Sequence, residues 1–84
     1  MGHSRRPQPR RLASKLKKIR NRLNLSQEQM AELLSSKRSA VYPGNVSEFE
    51  RGKREPSLVT LLRYARVASV TVDVLIDDGL ELPD

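Results

Sequence analysis

The most constraining feature of the chain is one decapeptide, LSQEQMAELL, at residues 25–34. Ser26, followed three residues later by Gln29, has the spacing of a capping box. Each side chain would bond the backbone N–H at the other's position. Leu25 and Met30 hold the two hydrophobic-staple positions, and Glu28 meets the positive end of the helix dipole. Met30, Leu33 and Leu34 then recur at helical spacing, with Ala31 allowing close approach. A helix this short has a small apolar face, so several such helices must close a core together.

The remaining segments supply them. In RRLASKLKKIRNRLN, Leu12, Leu16, Ile19 and Leu23 form an apolar stripe among Lys15, Lys17, Lys18, Arg20 and Arg22. Residues 35–42, SSKRSAVY, are polar and aperiodic. The following YPGN reads at first as a turn. Pro43 suits the first position of a helix, however, and predicts a short third helix over residues 43–51 with Val46 and Phe49 inward. Gly52 would end it in the left-handed conformation. Ser57 is the expected cap of a fourth helix with Leu58, Leu61, Leu62 and Ala65 buried and Tyr64 either core or partly covered. Thr71 begins a fifth, with Val70 and Leu75 as staple, Asp73 in its first turn, and Val72, Leu75 and Ile76 in contact with the core. Gly79 is its expected end. The run VASVTV has strand-like composition but no partner strand, so a loop and short helix are preferred.

Eighty-four residues suffice for one small domain. The chain has no cysteine and a single histidine, His3, in the N-terminal segment, so no disulfide or thiolate metal site is available. No apolar run approaches the roughly 18 residues that span a bilayer, and MGHSRRPQPRR lacks the apolar core of a secretory signal. A cytoplasmic protein without cofactor or metal is expected. Asp77 and Asp78 read as solvated surface, and no group of residues suggests an enzyme. Net charge is +6, unevenly spread: residues 1–22 carry nine Lys or Arg and no acid, and residues 67–84 carry five acids and no Lys or Arg. Such asymmetry favours a polyanion partner, nucleic acid before a membrane surface.

With these elements in place, LSQEQMAELL and NVSEFERGKREPSLVTLLRYARVASVTVDVLI resemble the helix-turn-helix regulators of the Cro and CI repressor type, including the xenobiotic-response-element regulators. The likeness spans about residues 12–78. Ser47, Glu50, Gly52, Lys53, Pro56, Leu58, Leu61, Leu62 and Ala65 follow the family pattern in order, as do Leu25, Ser26, Gln27, Ala31 and Leu34. The resemblance implies an all-α, five-helix, repressor-like DNA-binding domain containing a helix-turn-helix over residues 11–80. A basic flexible arm, 1–10, would precede it and a short acidic tail, 81–84, would follow. Its third helix would read the major groove of double-stranded DNA, with Pro43, Gly44, Asn45, Ser47 and Glu48 facing the bases. Gln27, Arg51, Lys53 and Arg54 would meet the backbone, and Val46 would anchor the helix. Ser26, Phe49, Glu50 and Gly52 are assigned structural roles.

The chain departs from the family in two places. About four extra residues separate Leu34 from Val46, an insertion whose closure costs little. It would lengthen a helix or bulge as a loop, and would carry Lys37 and Arg38 to the backbone or serve as surface only. Pro43 and Gly44 cannot make bidentate base contacts, so reading falls on Asn45 toward adenine, Glu48 toward cytosine, or an Arg from either flank. Glu48 has the alternative of pairing with a nearby Arg. Arg5, Arg6 and Arg10 would track the backbone or a minor groove, or stay solvated. A homodimer on a palindromic site is expected, with Val72, Val74, Ile76 and Leu80 as a seam. The rival reading is a protein-interaction module, an antitoxin or adaptor with a toxin or other protein as partner.

Overall fold

The structure is a computed structural model that describes residues 9–83. Five helices follow in order: α1 (Leu12–Arg22), α2 (Gln27–Leu34), α3 (Pro43–Glu50), α4 (Leu58–Ala68) and α5 (Val72–Ile76). The expected all-α class and helix count hold, and VASVTV divides between the end of α4 and the start of α5. α3 packs on both α1 and α2, α4 on α2, and α5 on α1 and α4.

The capping box at α2 forms as its spacing predicts. Gln29 N–H donates to Ser26 Oγ at 3.0 Å, and Ser26 N–H donates to Gln29 Oε1 at 2.9 Å. Ser57 caps α4 by accepting from Thr60 N–H. α3 starts at Pro43, and Gly52 beyond its end has φ +72°, the left-handed conformation expected of it. YPGN is therefore a helix start.

The core is built from Leu12, Leu16, Ile19, Met30, Ala31, Leu34, Val41, Val46, Phe49, Leu61, Tyr64, Ala65 and Leu75. Phe49 and Tyr64 meet edge to face with ring centroids 6.5 Å apart. Several expected core residues lie outside. Leu58 is 77 % exposed, and Leu23, Leu33, Leu62 and Ile76 are also exposed. The reason in α4 is Tyr64. Its large ring is fully buried, and turning it inward places Thr60, Leu61 and Ala65 on the core side. Thr60 tolerates burial because its hydroxyl accepts from Ser57 Oγ at 3.0 Å.

Lys15 is a second departure, a lysine only 3 % exposed within the apolar stripe of α1. Its Nζ donates to the carbonyls of Val74 and Asp77, at 2.8 and 2.9 Å. A cation thus closes the negative end of α5. Asp78, expected as solvated surface, lies at the surface but is partnered. Its carboxylate accepts from the Arg10 and Arg11 N–H groups at 2.9 and 3.0 Å, capping the approach to α1 from the far end of the chain. Those two N–H groups, helped by Lys15 and Arg11, hold its carboxyl below the usual aspartate range. Gly79 lies in the turn beyond α5, which already ends at Ile76, and its N–H donates to Asp77 Oδ1 at 2.8 Å.

Candidate nucleic-acid interface

α3 is the centre of the candidate site, and its position is set from behind. Val46 and Phe49 insert into the core. Glu50, one turn after Val46, is clamped by Arg20 of α1: Nε donates to Oε2 at 2.6 Å and Nη2 to Oε1 at 3.0 Å. The side chains are 15 % and 3 % exposed. The Glu50 carboxylate raises the Arg20 guanidinium above its ordinary value, against the opposing effect of burial. Arg20 Nη1 also donates to the Leu25 carbonyl at 2.8 Å, and Gln27 Nε2 reaches Glu50 Oε1 at 3.4 Å. One guanidinium therefore joins α1, the start of α2 and the end of α3.

The outer side of α3 is open. Pro43 and Gly44 are exposed, and Asn45, Ser47 and Glu48 are half-buried. A Cβ placed on Gly44 would meet nothing within 4 Å. Asn45 Oδ1 accepts from Tyr42 N–H at 3.0 Å, so this candidate base reader also braces its own helix start. Glu48 pairs with Arg54 at 3.6 Å, with both side chains over a third exposed. Arg51, Lys53 and Arg54 are exposed just beyond α3.

Residues 35–42 form a bulging loop; α2 stops at Leu34. Ser36 and Ser39 exchange backbone hydrogen bonds of 2.8 and 3.2 Å, and Lys37 and Arg38 occupy the exposed tip. Ser35 Oγ ties the loop base. It accepts from Val41 N–H at 2.8 Å and lies 2.8 and 3.0 Å from the Ala31 and Val41 carbonyls. Buried Val41 anchors the return. Cations therefore precede and follow α3 along the chain.

The N-terminal charge surplus is partly spent within the molecule. Besides Lys15 and Arg20, Arg11 binds Glu81 and the Asp78 carbonyl, and Arg22 donates to the Pro83 carbonyl. Leu82 packs against the core nearby. The acidic end of the chain thus lies on basic α1, a pairing that the charge asymmetry taken as a polyanion signal does not disclose. Arg10 is exposed. Arg5 and Arg6 lie outside the described residues. Among the described residues, no group of three or more His, Cys, Asp or Glu is placed to hold a metal, and no helix is long and apolar enough to cross a membrane.

The sequence assigned Glu50 a bracing role without Arg20 as its partner, and placed Lys15 among the charges around the apolar stripe, whereas it is buried within it. Spacing places both on or beside the apolar stripe of α1 but does not name their distant acceptors. Arg20 lies four residues after buried Leu16, and Lys15 lies between Leu12 and Ile19 on the same stripe.

Residues 16–75 match the helix-turn-helix family. The HTH-type transcriptional activator BcrR of Enterococcus faecalis is 40 % identical over 68 residues, 81 % of this chain and 30 % of that protein. The chain thus spans under a third of that relative's length. The solved structure of the P22 c2 repressor in complex with synthetic operator 9T superposes with a TM-score of 0.70, covering 80 % of this chain and 94 % of that one at 19 % identity. That likeness carries the five-helix fold. Motif, fold and clamped third helix converge, and the chain belongs to the helix-turn-helix family.

Proposed function

We propose that this chain is the sequence-specific double-stranded DNA-binding domain of a transcriptional regulator, with α3 in the major groove. The observation that carries the reading is the construction of α3. It is short, open along its first turn, locked from behind by the Arg20–Glu50–Gln27 contacts, and bracketed in sequence by exposed cations. A recognition helix needs such a fixed approach because its N-terminal residues meet base edges. Asn45, Ser47 and Glu48 are the polar readers, and Pro43 and Gly44 allow close approach. Gln27, Lys37, Arg38, Arg51, Lys53 and Arg54 contact phosphates, joined by Arg10 and by the arm residues Arg5 and Arg6. Glu48 must exchange its Arg54 contact for a base donor if it reads cytosine.

The domain acts as a cytoplasmic homodimer on two half-sites. Ile76 and Leu80 are exposed, and with half-buried Val72 and Val74 they supply the seam. Regulation follows from occupancy, and repression is the simplest outcome, by steric exclusion of polymerase. The similar proteins named above carry opposite signs, an activator and a repressor, as expected if the place of the site in a promoter decides the sign. The second reading, a protein-interaction module of the antitoxin or adaptor kind, draws on exposed Leu58, Val59 and Leu62 of α4.

Selection from a random duplex pool, followed by binding over a salt series, tests the first reading. A palindromic winner is expected, preferred over its scramble. Lys37→Ala/Arg38→Ala should flatten the log K against log salt slope by up to about 2. An absence of preference over scrambled DNA refutes sequence-specific binding, and an unchanged slope makes the loop surface only.

A further inference from the structure

The first turn of α3 is poor in hydrogen-bonding readers, and its largest exposed side chain is one the family pattern does not assign. Tyr42, the residue capping α3, is 65 % exposed. Its backbone is held on three sides. Its N–H donates to Asn45 Oδ1 at 3.0 Å, and its carbonyl accepts from Asn45 and Val46 N–H at 2.9 and 3.2 Å. Pro43 next to it disfavours helical geometry, and Tyr42 is indeed extended, with φ −108° and ψ 158°. Its side chain makes no capping hydrogen bond to the helix. Tyr42, Pro43 and Gly44 are all exposed at the start of the helix, and the space around Gly44 is open.

In the major groove the apolar mark of a base pair is the thymine C5-methyl group. The Tyr42 backbone is already fixed, and a tyrosine ring has only two side-chain torsions left to order on contact. We propose that Tyr42 is a specificity-determining residue whose ring packs on a thymine methyl, so that this chain selects A·T pairs by apolar contact beside the few polar readers of its helix. The inference rests on the DNA-binding reading and goes beyond it, since it names the base and the atom recognised.

The test uses the duplex that the full chain itself selects from a random pool. Each thymine is replaced in turn by deoxyuridine, which removes only the methyl group. One or two positions per half-site should lose about fourfold in affinity, the equivalent of one buried methylene-sized group. Tyr42→Ala should bind the thymine and uridine duplexes alike, and Tyr42→Phe should keep the discrimination. The uridine series needs no variant, so a folding defect in Tyr42→Ala cannot mask its result. Preference for the selected duplex with no thymine in it, or with indifference to every uridine, overturns the proposal and leaves DNA binding intact. So does discrimination that survives in Tyr42→Ala. A loss in Tyr42→Phe without any uridine effect assigns the hydroxyl to a phosphate instead and also overturns it. Failure to select any duplex removes the DNA-binding reading itself.

Discussion

Replacing Glu50 by alanine is the sharpest perturbation of the site, because it leaves Arg20 without the carboxylate that it grips at 2.6 and 3.0 Å. Breaking one side of a buried ion pair costs about 3–5 kcal/mol. Arg20 keeps 15 % exposure and its bond to the Leu25 carbonyl, so the low end, about 3 kcal/mol, applies. A chain of 84 residues has about 4–13 kcal/mol of total stability. Glu50→Ala should therefore lower the urea midpoint by about 3 M at a slope near 1 kcal/mol/M, and the melting temperature by about 12–24 °C. The double variant Arg20→Met/Glu50→Leu removes both charges and should recover most of the loss. Urea unfolding of wild type, Arg20→Met, Glu50→Leu and the double variant closes a double-mutant cycle. A loss under about 1 kcal/mol for Glu50→Ala would place the pair with ordinary surface ion pairs. A double variant no better than the sum of the singles would show that the pair is not coupled. Either result refutes the view that this contact locks α3.

Three further outcomes are expected. Lys15→Met keeps the buried stem but strips the Val74 and Asp77 carbonyls of their donor; it should lose about 1–3 kcal/mol in urea unfolding, and a change within about 0.5 kcal/mol would show that these carbonyls find other partners. Asp78→Asn should be less stable than wild type at neutral pH. Because the folded carboxyl is depressed by the Arg10 and Arg11 N–H groups, unfolding takes up a proton in the acid range and stability rises with pH. The difference should be full above the ordinary aspartate range and vanish as pH falls through the depressed folded value, and a difference that persists in acid denies the charge its role. Gly52→Ala should lose about 1 kcal/mol, because φ is +72° while the new Cβ would meet Ala13 Cβ at an ordinary 3.8 Å; a melting shift several times larger would reveal a clash the backbone does not show.

Local chemistry carried the elements of this protein. Ser26 and Gln29, Pro43, Gly52 and Ser57 act on neighbours a few residues away, so helix starts and one helix stop are legible in the chain, and with them the five-helix class. The short helix on which the proposed interface rests, α3, was legible for the same reason, while its reading role comes from the family resemblance. Tertiary packing decided which faces turn inward and which charges meet. Tyr64 rotated α4 and left Leu58 outside, because burying the largest ring outweighs a leucine at the helix end. Arg20 found Glu50 thirty residues away, and Asp78 reached Arg10 and Arg11 across nearly the whole chain. Such pairs have no local period, and a lysine or arginine on an apolar stripe reads as solvated until a buried acceptor is placed beside it. The basic and acidic ends, which as sequence suggest an external polyanion, are partly one another's partners in space.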